Sequence, residues 1–471
     1  MLWVNHIKYR QSKCLFSGVF LLLFLVGCTK SYQTEVDSSQ KISENSGNFN
    51  TQLNDNDQFG SAIANMGDLE SDGVIDLAVG APYDDSGGQD KGAIWILFMD
   101  NNGQVDIKQK IAEGTGGFTN TLEINDRFGS AIVQIGDLNN DGVTDLAVGA
   151  PGDDDGGTDR GAIWILFLNA DGTVRLTQKI SSTEGNFDGA LDNNDQFGSA
   201  VTNAGDINGD GIIDLAVGVA FDDDGGVDRG AVWLLFMNAD GTVNSYQKIS
   251  LNDGNLNANL LDFDYFGSAV ANLGDLDGNG INDLAVGAYG DDDGGIDRGA
   301  VWILFLESSG NVISEVKISD TEGKFDGVLA DGDGFGNAIA NLGDLNSDGI
   351  NELGVGAYRS DDGGIDRGAM WVLFMRATGE VISESKISAT QGNFTGLLSD
   401  VGQFGSALAG AGDLNGDGNL DIVSGVNLDD DGGTNNGAAW VLFMSSVKVS
   451  TESDSDRFES SENFIFTELY K

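Results

Sequence analysis

Four kinds of apolar run recur along this chain in a fixed order. "FGSAIANMG" is mildly apolar and rich in small residues, and "DLAVGA" is a short continuous apolar run. "GAIWILFM" is the most apolar, and "QVDIKQKIA" alternates apolar with polar positions. Short apolar runs separated by Gly, Asn and Asp predict strands, and no segment carries a helical period. The set returns every 69 residues: Phe59, Phe128, Phe197, Phe266, Phe335 and Phe404 share that spacing, as do Trp95, Trp164, Trp233, Trp302, Trp371 and Trp440. Self-similarity at such a period marks a repeat architecture.

The gradient across the four strands predicts the fold. A strand beside a central axis must be made of small residues, strands buried on both faces read as continuous apolar runs, and an outer edge strand is polar. The expectation is an all-β, six-bladed β-propeller of four-stranded antiparallel blades. The tryptophans read as core between blades, with a row of ligand-binding aromatics as the other reading. After the sixth "AAWVLFM" the chain offers "SSVKVSTESDSD", a poor fourth strand. "EVDSSQKISENSGNF" (Glu35 to Phe49) aligns instead with "EVISESKISATQGNF" (Glu380 to Phe394). The N-terminal segment is therefore expected to complete blade six and close the ring, so that no sheet edge is left open.

The first residues have Lys8, Arg10 and Lys13 ahead of an apolar run from Leu15 to Val26, then Gly27-Cys28. This is the pattern of a secretory leader, and the run is too short for a spanning helix. "LVGC" resembles the lipobox of bacterial lipoproteins, which implies cleavage before Cys28 and lipid on that cysteine. Thr29 after it implies the outer membrane or cell surface rather than the inner membrane. The expected division is a leader over 1–27, a tether over 28–34, the propeller over 35–444 and an acidic tail over 445–471. Loss of the leader also removes His6 and Cys14, so the mature chain holds no imidazole and no thiol beyond the acylated one. That excludes histidine-based acid–base chemistry, cysteine nucleophiles and zinc sites. With 24 Lys plus Arg against 75 Asp plus Glu the net charge is −51, and nucleic acid is excluded as a partner. Membrane contact is expected through the N-terminal lipid only, and the propeller is expected to be monomeric.

The "FG" that opens each repeat and the "GAP" that ends the second strand (Gly80-Ala81-Pro82, Gly149-Ala150-Pro151) resemble the FG-GAP repeats of integrin alpha-chain heads and related bacterial surface proteins. The resemblance covers roughly residues 35 to 444. Later repeats depart from it at Val219-Ala220, Tyr289, Tyr358 and Asn427, and integrin heads carry seven blades.

An acidic loop joins the first two strands of each repeat. Counted from its first Asp, side-chain oxygens fall at positions 1, 3, 5 and 9. They are Asp68, Glu70, Asp72 and Asp76; Asp137, Asn139, Asp141 and Asp145; Asp206, Asn208, Asp210 and Asp214. The later copies have Asp275, Asp277, Asn279 and Asp283; Asp344, Asn346, Asp348 and Glu352; Asp413, Asn415, Asp417 and Asp421. Position 6 is Gly in every copy. Alternate oxygens on a curled loop, with a backbone carbonyl added at position 7, suit a hard cation in the manner of an EF-hand loop. An Asx-rich turn is the other reading of one copy; six copies in register favour metal. The FG-GAP resemblance implies Ca²⁺, at up to six sites, and the lack of imidazole and thiolate disfavours softer metals.

A second acidic element, "DDDGGTDRGA" (Asp153 to Ala162) and its copies, joins strands two and three on the opposite face. It reads as a glycine turn with a local Asp159–Arg160 ion pair, or as a site for a cationic or polyol ligand or further Ca²⁺. The long inter-blade connections share this face, where the integrin resemblance places the ligand. Tyr265, Tyr358 and Arg359 are expected to contact it, whereas Arg127, Tyr265, Arg359 and Asn427, which break the repeat pattern, are the places where an asymmetric catalytic centre would be sought. The expected function is a surface-anchored, calcium-binding adhesion or ligand-binding module for an extracellular protein or glycan. The alternatives are a carboxylate-based glycan-cleaving enzyme and a structural envelope component; the repetition of every acid argues against the enzyme, which needs one asymmetric constellation.

Overall fold

In the computed structural model residues 29–452 are described; the leader, Cys28 and residues 453–471 lie outside the described residues. All regular structure among the described residues is strand. Residues 32–449 form one unit, six four-stranded antiparallel sheets arranged as the blades of a propeller. Blade one runs outward through Ile63–Gly67, Asp76–Ala81, Ala93–Met99 and Val105–Ile111. Blades two to five repeat this order, with third strands at Ala162–Leu168, Ala231–Met237, Ala300–Leu306 and Ala369–Met375. The middle strands are wholly buried, and the outer strand of blade one buries only its two ends, as the apolar gradient requires.

Blade six takes its outer strand from the N-terminal side. Val36–Ile42 pairs antiparallel with Ala438–Met444, in a register that sets Val36 against Met444 and Ile42 against Ala439. The expected ring closure is what the structure contains. The approach to this strand is pinned on blade five: Tyr32 stacks on Phe374 at 5.4 Å and Val36 N–H donates to Gly392 O at 2.9 Å. Residues 29–33, in the expected tether, and 448–452, in the expected tail, form a separate two-stranded sheet. A second unit holds residues 29–31 and 450–452.

The repeated FG and GAP glycines meet between blades. A Cβ on Gly80, in the second strand of blade one, would overlap the carbonyl of Gly129, at the entry to blade two. Gly129 itself has φ +97°, a conformation that side chains with a Cβ rarely adopt. The same encounter between Gly425 and Gly60 closes the circle. Beneath it the FG phenylalanine is fully buried: Phe59 packs on Phe49 at 4.8 Å, and Phe49 meets Trp95 edge-on at 5.1 Å. Aromatic pairs of this geometry add roughly 0.5–1.5 kcal/mol beyond their area. Trp95 shares its cluster with Val423 and Val441 of blade six, so the tryptophans are inter-blade core. Around the axis, amides stitch the inner strands together: Asn272 donates to Asn203 O and Asn341 to Asn272 O, both at 2.8 Å.

Candidate functional site

Antiparallel order places the strand 1–2 and 3–4 loops on one face, and the 2–3 loops with the inter-blade connections on the other. The acidic loops lie on the first face, and each is curled by its own carboxylates. Position one accepts two backbone N–H bonds in five copies. Asp68 takes those of Asp72 and Gly73 at 2.9 and 2.8 Å, and Asp137, Asp206, Asp344 and Asp413 do the same in their loops. Asp275 takes only that of Gly280. Position five caps position seven: Asp72, Asp141, Asp210, Asn279, Asp348 and Asp417 accept from Val74, Val143, Ile212, Ile281, Ile350 and Asn419. The position-five bonds are those of an Asx turn, and together with the position-one bonds they curl each loop around its own side chains.

Position nine is fully buried and anchors the loop to the blade. Asp76 accepts from Leu69 N–H at 2.9 Å and from Met99 N–H, at the end of the third strand, at 3.1 Å. Asp145, Asp214, Asp283 and Asp421 repeat both bonds. Glu352, one carbon longer, takes Leu345 N–H and the Asn346 amide instead. Burial raises the five aspartates to about 6 and Glu352 to about 8. Position three varies most. Glu70 is raised by burial and by repulsion from Asp72, Asp106 and Asp68. Asn208 and Asn415 accept the N–H of Asp210 and Asp417.

The donor set fits a hard cation. Carboxylate oxygens of Asp275, Asp277 and Asp283 lie within 4.8 Å of one another. Asn139 Oδ1 and Asn346 Oδ1 are buried acceptors without a donor, a costly state that a cation would relieve. Loop two carries a competitor that its own sequence does not reveal. Arg175, on the outer strand of blade two, pairs with Asp141. At the matching position blade one has Asp106.

On the other face the expected local pair of Asp159 with Arg160 is absent. Arg160 donates to Asn193 at 3.3 Å, while Asp159 pairs with Arg127 at 3.5 Å. Its counterparts also reach forward into the next connection: Arg229 to Asp262 at 2.8 Å, Arg298 to Asp331 at 2.9 Å and Arg367 to Asp400 at 2.7 Å. The acids of "DDDGG" are compensated by a lysine of the outer strand. Lys179 reaches Asp153 at 2.6 Å and Asp155 at 2.7 Å, and lies 5.5 Å from the centroid of the Trp164 ring. Lysines 110, 248, 317 and 386 sit over Trp95, Trp233, Trp302 and Trp371 in the same way.

Two of the residues that break the repeat, Tyr265 and Arg359, belong to one run of rings on this face. Tyr265 stacks on Tyr289 at 4.8 Å, and Tyr289 meets Tyr358 edge-on at 6.2 Å. Phe221 and Phe263 flank Tyr265, and the exposed Arg359 lies 4.7 Å from the Tyr358 ring centroid. Asn427 and Arg127 fall outside this run of rings.

A model of the FG-GAP repeat matches residues 128–166, 197–235, 266–304 and 404–442. Integrin alpha-3 of Cricetulus griseus is 31% identical over 253 residues, 54% of this chain and 21% of that protein. Integrin alpha-PS5 of Drosophila melanogaster is 34% identical over 169 residues, 36% of this chain and 15% of its own. A phosphatidylinositol-glycan-specific phospholipase D of Rattus norvegicus is 30% identical over 206 residues, 43% of this chain and 23% of its own. The chain spans less than a quarter of the length of each of these relatives. The FG and GAP glycines meet at every blade junction, and these likenesses show that the chain is a β-propeller carrying FG-GAP repeats.

Proposed function

We propose that the protein is a calcium-stabilised binding module of the cell envelope, tethered by lipid at Cys28, that holds an extracellular protein or glycan on the face opposite its acidic loops. The observation that carries the ligand reading is the run of Tyr265, Tyr289 and Tyr358 with Arg359. Blades four and five carry Tyr289 and Tyr358 where the others have Pro82, Pro151, Ala220 and Asn427, and Tyr265 precedes its FG phenylalanine where the others have Gln58, Arg127, Gln196, Gly334 and Gln403, so that one continuous aromatic surface forms on one side of the ring. A single asymmetric ligand requires such a break in symmetry, and aromatic and Arg side chains are the usual anchors of a binding surface. The strongly acidic surroundings favour a cationic or cation-bridged partner.

Calcium serves here as a folding cofactor. The buried acids at position nine and the unpaired oxygens of Asn139 and Asn346 support this reading. Hard oxygens in a flexible loop suit Ca²⁺ better than Mg²⁺, which demands near-octahedral geometry. At tenfold saturation each independent site adds about 1.4 kcal/mol, and six add about 8 kcal/mol, as much as the whole net stability of an ordinary domain. The test of the ligand site is the triple variant Tyr265→Ala, Tyr358→Ala, Arg359→Ala on glycan arrays and host or neighbour cells. Binding is expected to fall while the calcium-dependent melting point stays; unchanged binding would remove the assignment.

A further inference from the structure

Clefts of common design open on the ligand face at the entries to blades three, four and six. Each is lined by the third-strand tryptophan, the outer-strand lysine and the "DDDGG" acids of its blade. Three departures set the cleft of blade six apart. In blades three and four a buried aspartate, Asp195 or Asp264, lines the cleft, whereas in blade six that repeat position is Gly402. The cleft is correspondingly the largest of the three, at 720 Å³ against 590 and 280 Å³. Leu397, 88% exposed, forms its rim where the other connections have Gln52, Thr121, Ala190, Asn259 and Val328. Lys41, unlike the five other lysines, does not lie over its tryptophan among the described residues. It bridges Asp429 at 2.8 Å and Asp431 at 3.2 Å, as Lys179, Lys248 and Lys317 bridge the matching acids of their blades.

The result is an amphipathic cleft made once. Leu397 and Trp440 line it with apolar surface, and Asp429, Asp431, Lys41 and Ser39 line it with acceptors and donors. A pyranose has the matching construction, with a face of C–H groups and a rim of hydroxyls. Ionised carboxylates accept hydroxyl protons in strong, charge-assisted bonds. Asp429, Asp430 and Asp431 outweigh Lys41, so an anionic sugar is repelled. We propose that the blade-six cleft is a binding site for one neutral sugar residue. Its walls come from the closing strand and from the last repeat, so the site exists only once the ring is closed. It is separate from the Tyr265 surface and stands or falls independently of it.

The test uses the whole protein with calcium present, titrated calorimetrically with methyl glycosides of neutral hexoses and of N-acetylglucosamine, and with methyl glucuronide. Two substitutions carry residues found at the same repeat position in other blades, Leu397→Asn and Gly402→Asp, and the melting point of each is measured alongside because a Cβ at Gly402 comes within 3.1 Å of Ser399 O. A neutral glycoside is expected to bind with one site per chain. Leu397→Asn should weaken it by about threefold, from the lost apolar contact, and Gly402→Asp by about tenfold or more. The variant Tyr265→Ala, Tyr358→Ala, Arg359→Ala should bind it unchanged. Absence of binding by every neutral glycoside, tighter binding of the glucuronide, several equal sites per chain, or wild-type affinity in both cleft variants would each overturn the proposal.

Discussion

Lys248 Nζ lies 5.4 Å from the centre of the Trp233 ring, with its charge turned to Asp222 at 2.9 Å. The lysine thus covers the indole with its stem and compensates a buried carboxylate with its head. Lys248→Met keeps the stem and strands Asp222. It is expected to cost about 3 kcal/mol, the scale for breaking a buried pair. The double variant Lys248→Met, Asp222→Asn should recover most of that loss. Denaturant melts of the two variants check this, and equal losses would show that the pair is not coupled.

This contact was not legible in the sequence, and its absence there is instructive. The lysine and its aspartate are 26 residues apart across a hairpin. In "SYQKI" the lysine reads as the solvent side of an edge strand. The Phe, Trp and Gly signature, the six blades and the closing strand could be read because each is a period or an alignment, and periods survive translation into sequence. The forward reach of Arg229 to Asp262 could not, because it depends on how two loops pass each other. Tyr265 and Arg359 stood out as breaks in the pattern, but their connection through Tyr289 and Tyr358 required the packing of blade five beside blade four. The loop acids were readable as a set, whereas the Arg175 competitor sits on another strand.

Acidity should favour the cation-free fold. Burial pushes Asp126, Asp195 and Asp264 up to about 7, from an ordinary 3.8. The folded chain therefore holds more protons than the unfolded chain between these values. The stability tied to these groups is complete below about pH 4 and is lost as pH rises through 7. Asp126→Asn imitates the protonated state. Its melting point in chelator should exceed that of the parent most at pH 8, with the gain shrinking toward pH 4. A difference independent of pH would contradict the assignment.

Arg175 should tune the second loop. Its guanidinium occupies Asp141, so an incoming cation must displace it. Arg175→Asn is expected to lower the calcium concentration at which the melting point is half raised and to change the chelated protein little, since the pair is half exposed. An unchanged calcium midpoint would mean that loop two takes no ion.

Ring closure predicts unequal effects of trimming the two ends. Removal of residues 35–43 takes away the strand paired with Ala438–Met444 and should open the edge of blade six, giving aggregation. Removal of residues 453–471 should leave solubility and melting unchanged. Light scattering of the two truncated proteins distinguishes them, and the reverse order would refute closure by the N-terminal strand.

Dependence of the fold on calcium held in the six acidic loops is the property to measure. It is tested most directly by the melting temperature of the purified protein in chelator, in millimolar Ca²⁺ and in millimolar Mg²⁺. A fall of about 10 °C is expected on chelation, reversed by Ca²⁺ and poorly by Mg²⁺. Equal melting temperatures in chelator and in Ca²⁺ would contradict it.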